Sequence, residues 1–126
     1  MIDRKYIYFH SRDEFFKISV SEVVYIEAER NYSRITLVNG LTAMVGMSLG
    51  KMEQFLSCRF TGDTVEFARI GKRFIVNMKY IFRIRVLKQE LVLSDQRSFF
   101  YGLTISKEAL KNLKDILIRS MTVNKQ

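Results

Sequence analysis

The chain predicts a mostly-β domain carrying two helices. Three observations point there: most apolar residues fall in short alternating or β-branched runs, an Asn39-Gly40 pair separates two such runs, and only two stretches show apolar residues at helical spacing. With 126 residues, of which 48% are hydrophobic and 13% aromatic, one core can be buried without staples.

In chain order, residues 5–9 and 14–18 read as two aromatic-rich strands joined at His10-Ser11-Arg12-Asp13. Residues 22–27 form a β-branched strand that ends at the polar break Glu29-Arg30-Asn31. Residues 32–38 alternate, with Ile35 and Leu37 on one face and Tyr32, Arg34 and Thr36 on the solvent side. Asn39-Gly40 then predicts a hairpin over 32–45 with a type I′ turn, which needs positive φ at both central residues. Ser48 is an expected N-cap. Leu49, Met52, Phe55 and Leu56 follow on one face of a helix of about two turns.

Gly62-Asp63 marks a loop, and residues 65–70 and 74–76 read as strands interrupted at Gly71-Lys72-Arg73. Residues 80–86 alternate, placing Phe82, Ile84 and Val86 inward and Arg83 and Arg85 outward. A hairpin pairs 90–93 with 98–101 and turns at Asp95-Gln96. Ser106 caps the last helix, whose apolar stripe is Ala109, Leu110, Leu113, Ile116 and Leu117, with Lys107, Lys111, Lys114 and Arg119 mostly outside it. Residues 1–20 extend a main domain over 21–120, and 121–126 are expected to fray.

Charge narrows the function. There are 21 bases against 13 acids, for a net charge of +8 and a pI near 9.8, and residues 69–88 contain seven bases and no acid. Interleaved with aromatic and β-branched residues, this is a folded cationic surface, for which nucleic acid is the commonest partner. Enzyme chemistry is poorly supplied. His10 is the only histidine and reads as a turn residue; the lone Cys58, expected in or near the core, excludes an internal disulfide and a cysteine-based zinc site. Gly71-Lys72 fails as a phosphate loop, because Glu66 and Arg73 stand where Gly and Ser or Thr are needed. Glu27 and Glu29 read as solvated surface, not as a glycosidase pair. Tyr6, Tyr8, Phe9, Phe15 and Phe16 read as core packing in preference to a base-stacking platform. No run reaches signal-peptide or membrane-span length, so an intracellular protein with no membrane partner is expected.

Three segments together resemble the LytTR-type DNA-binding domain of bacterial transcription regulators. They are Glu22-Val23-Val24-Tyr25-Ile26-Glu27-Ala28-Glu29-Arg30-Asn31-Tyr32; Phe67-Ala68-Arg69-Ile70 with Phe74-Ile75-Val76-Asn77 and a following Ile81; and Ile105-Ser106-Lys107. The resemblance spans residues 20–118. It implies a mainly β fold of about ten short strands in small antiparallel sheets with two short helices. It also implies that loops, and not a recognition helix, enter successive major grooves of double-stranded DNA, usually bending it. By matching position the contacts would come from the region Arg30, Asn31, Ser33 and Arg34, from Arg69, Lys72 and Arg73, and from Ser106 and Lys107. No cofactor or small-molecule substrate is implied.

The chain departs from the family pattern at Gly71, where His is usual, at Arg73, where Ser is usual, and at Glu108, where a basic residue is common. Residues 1–20 are too few for the receiver or membrane-sensing domain that such regulators often carry. The expectation is a stand-alone cytoplasmic regulator, possible as a homodimer on a repeated site. The alternative is a LytTR-fold interaction module that has lost specific DNA recognition, or a single-strand or RNA-binding β module.

Overall fold

A computed structural model describes residues 6–59 and 66–120, with the side chains of 58 and 59 excepted. The loop expected at Gly62-Asp63, the first residues of the strands expected from Lys5 and Val65, the Cys58 side chain and the tail 121–126 lie outside the described residues. The chain divides into two compact units, Met1–Tyr80 and Ile81–Gln126. Among the described residues there are ten strands and two α-helices, and every strand pairing is antiparallel.

In the first unit, β1 (Tyr6–His10) and β2 (Phe15–Ser19) pair as a two-stranded sheet. A five-stranded sheet follows, built from β3 (Val23–Glu29), β4 (Tyr32–Leu37), β5 (Thr42–Val45), β6 (Phe67–Ile70) and β7 (Phe74–Asn77) in the order β5-β4-β3-β7-β6. Helix α1 (Leu49–Arg59) lies between β5 and β6 in sequence. One sheet face supplies Val23, Ile26, Ile35, Val45 and Ile75 to the core. The β1–β2 hairpin adds Ile7, Phe9 and Ile18, and α1 adds Leu49, Met52 and Leu56. Each such side chain stabilises the fold by about 1.5–3 kcal/mol when fully buried.

Local chemistry explains the boundaries. Ser48 Oγ accepts the Lys51 N–H at 3.3 Å, so the expected N-cap forms. The helix runs eleven residues instead of about two turns, because no Gly or Pro interrupts the chain between Gly50 and Gly62. The hairpin at Asn39-Gly40 also forms, with a different turn. Only Gly40 has positive φ (87°), and the Gly40 N–H donates to the Leu37 carbonyl at 3.0 Å while the Leu37 N–H donates to the Leu41 carbonyl at 2.9 Å. That is a type I turn closed by a left-handed glycine, in place of the expected type I′. Thr36 is buried instead of solvent-facing, since Tyr25 and Thr42 flank it in the register on both sides. The hairpin aromatics divide by face. Phe9 and Phe16 join the core, whereas Tyr8 and Phe15 are exposed with ring centroids 6.0 Å apart. His10 closes β1 opposite Phe15 and is exposed.

Asn77 ends β7 fully buried. Its amide donates to the Val23 carbonyl at 2.9 Å, and its Oδ1 accepts the Lys79 N–H at 3.1 Å.

The second unit holds β8 (Ile81–Arg85), β9 (Glu90–Ser94) and β10 (Phe100–Thr104) in the order β10-β9-β8, followed by α2 (Lys107–Ser120). Phe82 was expected inward and is 48% exposed, because the register shifts between Ile81 and Arg83 and the bulge breaks the two-residue alternation. On α2, Leu110 and Leu113 are buried but Ile116 is 55% exposed. At about 100° per residue Ile116 sits roughly 120° around the helix from Leu110, at the edge of the stripe.

The β9–β10 connection is five residues long, 95–99, and centres on Asp95. Its Oδ1 accepts the N–H groups of Arg97, Ser98 and Phe99 at 2.9, 2.8 and 3.1 Å, and its Oδ2 accepts the Ser98 hydroxyl at 2.5 Å. The Ser98 hydroxyl, helped by those backbone donors and opposed by desolvation, holds the Asp95 carboxyl well below its ordinary 3.8.

Two outcomes are expected. Asn77→Ala leaves the Val23 carbonyl unpaired and should lower unfolding free energy by about 1–3 kcal/mol in urea melts. Because the folded Asp95 pKa is depressed, its stabilisation is complete above the unfolded value and disappears as pH falls through the folded one. The Tm gap between wild type and Asp95→Asn should therefore be largest above about pH 4 and narrow progressively below it.

Candidate nucleic-acid interface

Pairing of Glu29 with Tyr32 leaves Arg30-Asn31 as a two-residue turn, and pairing of Ile70 with Phe74 leaves Gly71-Lys72-Arg73 as a three-residue turn. Strand β3 runs antiparallel to both β4 and β7, with Glu27 opposite Arg34 on one side and Phe74 on the other. The two turns therefore leave the same end of the five-stranded sheet. The ladder continues into the second turn, where the Arg73 carbonyl accepts the Ala28 N–H at 2.8 Å. Arg30 (φ 59°) and Gly71 (φ 67°) both adopt left-handed backbone. Glycine takes that conformation without strain, whereas arginine does not.

The cations at this end differ in how they are held. Arg73 Nη2 donates to Glu27 Oε2 at 2.5 Å, with its guanidinium 5.5 Å from the Phe74 ring centroid. Arg34 Nη2 lies 2.6 Å from Glu29 Oε2 and its Nη1 lies 3.7 Å from Glu27 Oε1. Glu27 thus bridges the two arginines across β3, with its side chain only 18% exposed. Both Glu27 and Glu29 were expected as solvated surface, and these two acids are the residues of this site that sequence reasoning missed. A signal was available, since a two-residue turn at 30–31 by itself pairs residue 27 with residue 34. Arg30, Asn31 and Lys72 are exposed, and among the described residues neither Arg30 nor Lys72 forms an ion pair.

Two expected contact residues are placed elsewhere. Ser33 is fully buried on the core face, where its hydroxyl donates to the Met47 carbonyl at 2.7 Å, because odd positions of β4 point inward. Arg69 lies on that same face. It pairs with Glu53 of α1 at 3.0 Å and donates to the Lys72 carbonyl at 2.9 Å, while its buried Nε has no partner. It braces the turn from behind.

In the second unit, Ser106 Oγ accepts the Ala109 N–H at 3.3 Å, so its hydroxyl is occupied as the N-cap of α2. Lys107 and Glu108 are exposed side by side in the first turn. Among the described residues no group of three potential metal ligands occurs, and no helix is long and apolar enough to cross a membrane.

A small antiparallel β-module that presents cationic turns at one sheet end is a class of nucleic-acid-binding architecture. The family model for the LytTr DNA-binding domain matches residues 13–118, and the chain belongs to that family. Among solved structures, the LytTr DNA-binding domain of a Bacillus cereus protein described as a methyl-accepting/DNA response regulator is similar to this chain in fold. It shows 20% identity and a TM-score of 0.62 over 90% of this chain and 96% of that one. No protein in the curated set matches significantly.

Arg30→Gly should leave Tm nearly unchanged, as about 1 kcal/mol of relieved left-handed strain offsets glycine's extra chain entropy. Arg30→Val, β-branched in the same conformation, should lower Tm clearly in the same melts.

Proposed function

We propose that this protein is a cytoplasmic transcription regulator, not an enzyme, which binds double-stranded DNA sequence-specifically through turns that enter the major groove. The observation that carries this is the emergence of two cationic turns, 30–31 and 71–73, from the same end of one sheet in a chain of the LytTr family. Arg30 and Lys72 are free to neutralise phosphates. Arg73 and Arg34 carry planar forks that suit base edges or phosphate, and Asn31 can pair with an adenine edge. In the second unit, Lys107 at the start of α2 is a further cation suited to phosphate, beside backbone N–H groups that favour it. The net charge of +8 favours rapid encounter with a polyanion.

Neutralising three to five phosphates gives a slope of log K against log salt of roughly −2.7 to −4.5. Fluorescence anisotropy on a labelled duplex reads this directly, and salt-independent binding, or none to any duplex at low salt, sinks the proposal. Lys72→Ala should weaken all duplexes alike and reduce the slope by about 0.9 if Lys72 meets phosphate. Selection from random duplexes should enrich a motif, repeated about one helical turn apart if a homodimer binds. Enrichment of nothing favours the interaction-module alternative, for which the prior engagement of Arg34 and Arg73 by carboxylates and the Glu108 beside Lys107 are the supporting features.

A further inference from the structure

The cations at the sheet end fall into two groups. Arg30 and Lys72 extend from turns with no carboxylate partner, while Arg73 is fixed at both ends. Its backbone carbonyl is tied to the Ala28 N–H at 2.8 Å, and its guanidinium is tied to Glu27 at 2.5 Å and rests near the Phe74 ring. Even so, the Arg73 side chain is 66% exposed, so its remaining donors are accessible to a ligand. Glu27 is held in turn from the other side by its place opposite Arg34, and Arg34 is anchored to Glu29 at 2.6 Å.

A carboxylate on an arginine has two consequences. It cancels the charge, so a phosphate on an arbitrary duplex must displace or share the carboxylate to gain much. It also fixes the plane of the fork, and a fixed plane favours a ligand with two coplanar acceptors at fork spacing. In the major groove that ligand is guanine, through O6 and N7.

We infer that Arg73 reads a guanine edge and that Glu27 is its positioning residue, suppressing non-specific phosphate binding while holding the guanidinium for a base. This rests on the duplex-binding role proposed above and assigns different duties within it. Arg30 and Lys72 supply affinity, and the Glu27-held Arg73 supplies sequence discrimination.

The test compares wild type, Glu27→Gln, Arg73→Gln and the double variant, each first confirmed as folded by thermal melt. Wild-type binding to a random duplex pool decides the underlying role, and the differences among variants decide the inference. Glu27→Gln should bind the random pool several-fold more tightly, steepen the salt slope by about 0.9, and narrow the ratio of selected-site to random affinity. In the Arg73→Gln background the same substitution should leave the slope unchanged. On the selected site, replacing one guanine with 7-deazaguanine should weaken wild type roughly tenfold and Arg73→Gln not at all. A merely structural Glu27 would lower Tm and leave the slope and ratio where they were, which overturns the inference, as does the lack of any guanine whose N7 matters only when Arg73 is present. Heparin reads the charge-masking half without DNA: Glu27→Gln should elute at higher salt than wild type, and equal elution overturns it. If Glu27→Gln does not fold, Glu27→Asp keeps the charge but falls short of Arg73. It should lower the affinity ratio at constant slope, and an unchanged ratio counts against the inference.

Discussion

Strand β3 is paired on both edges, and its register against β4 and β7 is the constraint on which the rest of the site depends. That register is set by apolar packing. Ile26 lies opposite Ile35 on one side and Ile75 on the other, and all three are essentially inaccessible to solvent. Slipping β3 by one residue would turn Ile26 outward and drive Glu27 into the core. The slip would sacrifice about 1.5–3 kcal/mol for the isoleucine and add several kcal/mol for an unpaired buried carboxylate. The same row that builds the core therefore fixes Glu27 between Arg34 and Arg73. The geometry at the sheet end is a consequence of hydrophobic register, and no separate device is needed to align the two turns.

The turns solve one backbone problem in two ways. A tight connection at the end of a twisted antiparallel pair calls for a left-handed residue, and here the first residue of each turn takes it. At 71 the residue is glycine, so no strain arises and the position has no side chain to offer. The side chains that turn presents to solvent are those of Lys72 and Arg73. At 30 the residue is arginine, and strain of about 1 kcal/mol is retained where an asparagine or glycine would relieve it. The same cost is met at Gln89 (φ 54°) and Gln96 (φ 65°) in the turns of the second unit, so a strained non-glycine turn residue is a general feature of this chain and not a mark of Arg30 alone.

The fold was largely legible in the sequence. Alternation and β-branching located the strands, Ser48 and Ser106 marked both helix starts, and Asn39-Gly40 marked a hairpin. What failed did so for local reasons. The turn type at Asn39-Gly40 depends on a one-residue difference in closure that the dipeptide does not encode. Phe82 sits at a bulge, where period-two reasoning inverts. Ser33 and Arg69 are expected as contacts because they belong to matching segments; strand parity puts both on the core face, with Ser33 fully buried and Arg69 partly exposed. Glu27 was read as surface because an acid on a strand usually is. Its partners are seven and forty-six residues away, and only the pairing of three strands brings them together.

Electrostatics at two length scales then separate attraction from discrimination. Beyond a Debye length of about 8–10 Å a duplex senses only the summed field of a chain with net charge +8, so approach depends little on which cations are paired. Within contact distance the pairing decides. An unpaired lysine on a flexible stem meets any phosphate, whereas a guanidinium already bonded to a carboxylate gains little from a lone acceptor and more from a rigid pair of them. If this sheet end meets DNA as proposed, acids among its cations would be counterproductive were affinity alone at stake. On the proposed role, Glu27 and Glu29 are accounted for by the orientation they impose on Arg34 and Arg73, which their ion pairs hold in place.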